Sequence, residues 1–270
     1  MKKKLSLICL CGIILLGVCG CGKEETDDWD VYEVAGKIDC PQYDNAKYGF
    51  FSENIFIDEN DNLYLTSYKK FSDSNTNCQK ISDIKLVKFG RNHVGNYKNI
   101  VFDENNNAYV LDTIKLDEYS YKYYFKEYTF DVDEYFLKSD VILFDCVDDK
   151  YYVLKTDGKI YEYDGVLKTE KVLYEFEDEK ILWYEYGGVF PFSSLPYYLI
   201  TDKAYYTPSL VDENCLEYND IKCEYQLKIN NYLTKNKNNI AYIYSNIGHT
   251  IDVIFKNGKN KSIIYNQLFK

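Results

Sequence analysis

The chain has 270 residues, 43 of them Asp or Glu against 32 Lys or Arg, and a formal charge of −11. A field of that sign repels phosphate backbones and anionic headgroups, which sets aside a nucleic-acid partner and a membrane contact made through basic patches. One arginine (Arg91) and two histidines (His93 and His249) leave few donors for bidentate anion recognition and few bases for nucleophilic catalysis.

Lys2, Lys3 and Lys4 open the chain and precede an apolar run from Leu5 to Val18, the layout of a secretory signal peptide. The run falls short of the roughly 20 residues that cross a bilayer core, although counting on to Gly22 leaves a tilted span as the alternative. At its end Val18 stands three residues before Cys21 and Gly20 directly before it. This segment resembles the lipobox of bacterial lipoproteins, with Cys19 as an unusual occupant inside the box. Cys19 itself fits poorly as acceptor, because the branched Val18 would be its neighbour. The resemblance implies cleavage after Gly20, a diacylglyceryl thioether on Cys21 and, in Gram-positive relatives, attachment to the outer face of the plasma membrane. Residues 1–20 then form the signal and residues 21–30, "CGKEETDDWD", an acidic tether with too little apolar surface to fold. Residues 31–270 form the domain. Without Lys2, Lys3 and Lys4 the chain keeps 29 basic against 43 acidic residues, a formal charge of −14.

The domain repeats itself. "NIFIDENDNLY" (54–64) and "NIVFDENNNAY" (99–109) agree at seven of eleven positions with an offset of 45 residues. Fainter copies read "ILFDCVDDKYY" (142–152), "YLITDKAYY" (198–206) and "NNIAYIYSN" (238–246). The marker tyrosines Tyr64, Tyr109, Tyr151, Tyr205 and Tyr242 average 44.5 residues apart. Each copy reads as strand, Asp/Asn turn and strand, since Asn and Asp accept left-handed backbone angles and hydrogen-bond their own turn. Residues 84–90, 158–165 and 223–229 alternate apolar and polar, the signal of half-buried strands, and Asp157-Gly158 marks a hairpin. No sustained helical stripe follows residue 30. A period of 40–50 residues with several strands per repeat points to an all-β fold, a β-propeller of five four-stranded blades of about 45 residues. Residues 31–38 are placed to complete the last blade. A β-sandwich or an elongated repeat is the competing architecture. The Asp-Glu-Asn-x-Asn-x-Tyr hairpins resemble those of bacterial extracytoplasmic β-propeller proteins, a resemblance of composition and architecture that carries no active site.

The turns at Asp58-x-Asn60-x-Asn62 and Asp103-x-Asn105-x-Asn107 match the opening of a calcium loop. Leu63 and Ala108 stand where its glycine belongs, and Lys69 and Ile114 where its glutamate belongs, so plain hairpin turns are expected. No metal site and no cofactor is expected. Five cysteines fall in the domain, Cys40, Cys78, Cys146, Cys215 and Cys223; an odd number argues against a fully paired scaffold, and Cys215 with Cys223 fits either a bridge or buried thiols. The segment "WYEYGGVFPFSSLPYY" (183–198) has seven aromatic residues in sixteen and is broken by Gly187, Gly188, Pro191 and Pro196. One reading makes it an inserted loop whose Trp183, Tyr184, Phe190, Phe192, Tyr197 and Tyr198 contact a ligand. The other packs it between blades, where large apolar side chains normally go. The functional expectation is a lipid-anchored cell-surface module that binds an extracellular protein, peptide or glycan and carries no catalytic residue. Its alternative is an extracytoplasmic glycoside hydrolase working through paired carboxylates, for which 43 acids supply candidates and no motif selects any.

Overall fold

The computed structural model describes residues 31–50, 52–67, 70–71, 75–92, 99–115, 121–128, 132–147, 150–186, 196–206, 230–246 and 250–264. The described residues are overwhelmingly strand. One sheet runs β2 (Ala46–Phe50), β3 (Ser52–Asp58), β4 (Leu63–Thr66) and β5 (Cys78–Lys80). A second group comprises β6 (Leu86–Asn92), β7 (Ile100–Asp103), β8 (Ala108–Lys115) and β9 (Tyr121–Glu127), and a third β10 (Val141–Val147), β11 (Lys150–Lys155), β12 (Ile160–Asp164) and β13 (Thr169–Tyr174). These two groups join into eight strands because β6 pairs with β10 in parallel. A fourth group holds β14 (Ile181–Tyr186), β15 (Pro196–Thr201) and β16 (Tyr205–Tyr206). In the last, β17 (Ile240–Asn246), β18 (Thr250–Phe255) and β19 (Lys259–Ile264) are completed by the N-terminal strand β1 (Val31–Lys37), which pairs antiparallel with β19. The two ends of the described chain therefore share one sheet, the pairing expected of residues 31–38. Successive antiparallel sheets of consecutive strands, the first strand of each here called inner and the last outer, make the fold all-β and β-propeller-like.

Burial shows how the sheets stack. Ile55, Phe56 and Ile57 are all buried, although strand side chains alternate between faces. Ile55 and Ile57 enter the main core, while Phe56 packs on the opposite face with Tyr43, Tyr242, Cys40 and Cys78. Val101 and Phe102 divide the same way, Phe102 joining Phe144, Tyr135 and Tyr163. The sheets are thus covered on both faces at β3 and β7, and an unbroken apolar run is what such a strand requires.

The repeat resides in the turn between the second and third strands of a sheet. Asp58 Oδ1 accepts from the backbone N–H groups of Asn60 (2.9 Å) and Asn62 (2.8 Å), and Asp103 Oδ1 does the same for Asn105 and Asn107 (2.9 Å each). These are hairpin turns. Asp61 (φ 61°) and Asn106 (φ 61°) take the left-handed position, which Gly158 (φ 80°) fills between β11 and β12 and Gly258 (φ 81°) between β18 and β19. The third copy, 142–152, is consequently out of phase: it spans β10 and β11, the first and second strands, whereas the counterpart of the first two copies is the β11–β12 hairpin. The fifth copy, 238–246, is a 3-10 turn (Lys237–Asn239) followed by β17, and its counterpart is the β18–β19 hairpin. An apolar triplet, an aspartate and a tyrosine describe any hairpin of this domain, so composition alone does not phase it.

Two features depart from the sequence expectation. Residues 230–235 are helical, and Leu233 among them is buried in the main core. Cys40 and Cys78 form a disulfide across 38 residues, with Cα atoms 5.3 Å apart, well inside the range a disulfide needs. It ties the segment after β1 to the outer strand β5. Cys146 is a buried thiol, and Cys215 and Cys223 lie outside the described residues.

Candidate functional site

Buried charge in a sheet core is costly unless paired and hydrogen-bonded, so the places where this chain tolerates it are the natural sites to inspect. The densest lies near the carboxyl ends of the inner strands β6, β10 and β14, which carry Arg91, Asp145 and Glu185. The parallel register sets Asp145 directly opposite Arg91. Arg91 donates from Nε to Asp145 Oδ1 (2.7 Å) and from Nη2 to Asp145 Oδ2 (2.8 Å), a bidentate pair, and Nη2 also donates to the carbonyl of Tyr184 (2.6 Å). Glu185 Oε1 stands 4.0 Å from Nη1. The guanidinium carbon lies 5.8 Å from the Trp183 ring centroid and 5.4 Å from that of Tyr184, within cation–π range. Burial opposes the charge on Arg91, but Asp145 and Glu185 outweigh it and hold the guanidinium protonated, with a pKa above its ordinary value.

Three of the six aromatic residues expected at a ligand surface, Trp183, Tyr184 and Tyr198, form the wall of this cluster. Trp183, Tyr184 and Tyr198 are at most 1% exposed. They sit on strands β14 and β15, not on a projecting loop. Trp183 stacks on Tyr48 at 4.6 Å between ring centroids and meets Phe89 edge-on at 5.7 Å. Tyr184 donates its hydroxyl to the carbonyl of Tyr152, and Tyr198 to that of Ile243 (3.1 Å). Burial pushes both phenols well above their ordinary pKa. These three side chains are packed within the sheets, where residues on both faces of β14 and β15 are buried. Phe190, Phe192 and the side chain of Tyr197 lie outside the described residues, as do Cys21, His93 and His249.

A second cluster lies at the outer end of the β10–β13 group. A cleft of about 1020 Å³ is lined by Val132, Asp133, Glu134, Tyr135, Lys138, Tyr163 and Lys168. Its floor is closed, because the Tyr135 and Tyr163 rings stack on each other at 3.7 Å and are buried. Asp133 accepts from the Tyr135 backbone N–H (3.0 Å), the Tyr163 hydroxyl (3.0 Å) and the Lys168 ammonium (2.6 Å). Burial opposes its ionisation, but those bonds prevail and hold its pKa below the usual value. Glu170 is held by Lys155 (2.7 Å) and by the Tyr135 hydroxyl. This network braces a hairpin and engages the carboxylates of Asp133 and Glu170.

Sequence reasoning placed neither cluster. One signal for the first was available: the chain's single arginine on an alternating strand, with Asp145 set between Phe144 and Cys146 in an apolar run. Among the described residues, no group of three or more His, Cys, Asp or Glu side chains is arranged to hold a metal ion. No protein-family model matches the chain, and no curated protein matches it. Among solved structures it is similar to "YCF48 bound to D1 peptide" at a TM-score of 0.37 and 10% sequence identity, over 80% of this chain. The match spans 62% of that protein's length, and the strand order here stands independently of it.

Proposed function

We propose that this chain is a lipid-anchored, five-bladed β-propeller on the outer face of the cell membrane, serving as a binding module for an extracellular protein or peptide. The observation that carries the functional half is the commitment of the inner-strand charges: Asp145 is fully buried against Arg91, and Glu185 is buried beside the same guanidinium. A hydrolytic pair needs carboxylates that reach substrate and water, and these are occupied in bracing the strands. Among the described residues, the outer hairpins and sheet edges are accessible, and these are surfaces suited to contact. The Cys40–Cys78 disulfide supports the location, since such bonds persist in oxidising compartments and are rare in the cytosol. The lipid attachment rests on Val18, Gly20 and Cys21 after the lysine-led apolar run. Cells fed labelled fatty acid should mark the wild-type chain and not Cys21→Ala; equal labelling of both would defeat the anchor. The purified protein should be retained on arrays of surface proteins and peptides while leaving a glycan panel uncleaved. Cleavage abolished by a single Asp or Glu substitution would replace the binding reading with the hydrolase.

A further inference from the structure

Five large hydrophobic side chains are exposed among the described residues, and three of them, Val166, Leu167 and Val172, belong to one hairpin arm. Val166 is 87% exposed and Leu167 69%. Their display is fixed by the backbone. Asp164 Oδ1 accepts from the N–H groups of both Val166 and Leu167 (2.8 Å each), the Asp164 carbonyl accepts from Lys168 N–H (2.8 Å), and Lys168 takes φ 56°. A turn capped this way would hold polar residues equally well, so the apolar pair is not demanded by the turn.

The arm continues into β13, which among the described residues pairs only with β12 and ends the eight-stranded sheet. An edge strand carries a row of unpaired backbone donors and acceptors, and chains normally guard such rows with charge. The opposite edge, β9, is guarded in that way by exposed Lys122, Lys126 and Glu127. On β13 Glu170 and Lys171 are also exposed, but each is held in an ion pair, Lys171 with Glu162 (3.1 Å) and Glu170 with Lys155 (2.7 Å). Beyond β13, Glu175 pairs with Lys159, while Glu177 and Asp178 are exposed and make no hydrogen bond or ion pair among the described residues. Apolar side chains at the tip, an edge strand and carboxylates without a partner among the described residues follow one another along the chain.

We propose that the β13 edge receives an extended segment of a protein partner as an added strand. Its apolar side chains would lie against Val166, Leu167 and Val172, and a basic side chain against Glu177 and Asp178. This deepens the binding-module reading and rests on it. Strand addition takes affinity from main-chain bonds and selectivity from the side chains alongside. The occupant is basic because the carboxylates offered have no partner among the described residues and the whole field, at −11, steers cations inward. A second copy of the chain would bring two such fields together. A glycan would need exposed aromatic faces, whereas the exposed groups here are aliphatic.

The test uses the purified full chain and two fluorescent decapeptides of alternating valine and threonine, one ending in two lysines and the other in two glutamates. Anisotropy should show the lysine peptide bound at least tenfold more tightly. The double variant Val166→Asp/Leu167→Asp, on an exposed turn, should weaken it at least tenfold with the thermal midpoint unchanged, and Glu177→Lys/Asp178→Lys should reverse the preference between peptides. No saturable binding, equal affinities, or affinities unmoved by either variant would overturn the proposal. So would sedimentation showing wild-type dimers that the Val166→Asp/Leu167→Asp variant dissolves. Array retention that survives this variant would leave the binding-module reading in place and remove the β13 edge from it.

Discussion

Replacing Arg91 by methionine keeps the aliphatic stem and removes the charge, which leaves the carboxylate of Asp145, 0% exposed, without its partner. Two charge-assisted bonds to Asp145 and one to the Tyr184 carbonyl disappear. Breaking a buried ion pair from one side typically costs about 3–5 kcal/mol, most of it the burden of a stranded charge, and the Tyr184 carbonyl adds roughly 1 kcal/mol. Arg91→Met should therefore lose about 4–6 kcal/mol, a large share of the roughly 5–15 kcal/mol available to a domain. Asp145→Leu should lose a comparable amount, since it strands the guanidinium near Glu185. The double variant has no stranded charge in the pair and should recover much of the loss, because a buried pair replaced by apolar groups is often near neutral. Urea unfolding of all four proteins, followed by tryptophan fluorescence from the indole of Trp183 beside the guanidinium, measures the cycle. A coupling above about 4 kcal/mol is expected, because the double variant should lose less than either single one, and close charge pairs reach that range. Additive losses would refute the reasoning, for they would mean that each residue acts by size alone.

Cys40→Ser/Cys78→Ser should lower stability by roughly 4 kcal/mol from the closure entropy of a 38-residue loop, read as a drop in urea midpoint that reductant reproduces in the wild type. Trp183→Ala should cost about 3–5 kcal/mol and collapse the thermal midpoint, whereas Val166→Ala should leave it nearly unmoved. Hydrogen bonds from Asn107, Asn105 and Tyr109 outweigh the burial of Asp103 and hold its folded pKa below 3.8, so its contribution is complete above that value and is lost as pH falls through the folded pKa. Asp103→Ala should accordingly flatten the acid limb of a plot of thermal midpoint against pH. Burial raises the Asp252 pKa despite the bond from Ser262, so its ionised form is disfavoured in the fold at neutral pH, and Asp252→Asn should gain stability there while gaining nothing below pH 4.

The sequence by itself determined what depends on neighbours a few residues apart. Asp58 and Asp103 fold their own turns through bonds to groups two and four residues on, and Gly158 and Gly258 supply left-handed positions that the adjacent strands demand. Alternation and turn spacing made the domain all-β, and the strand-like residues 31–38 were legible as a partner for the chain's far end. The tertiary structure decided whatever joins distant segments. Composition cannot say that Arg91 meets Asp145 54 residues later, that Cys40 finds Cys78, or which strand pair shares the phase of the first repeat. The aromatic segment shows why. Trp183, Tyr184 and Tyr198 look the same in sequence whether they face solvent or another sheet, because alternation specifies two faces of a strand and is silent on what covers them. In this fold both faces are covered by neighbouring sheets, so residues suited to a ligand surface became the walls of a buried ion pair.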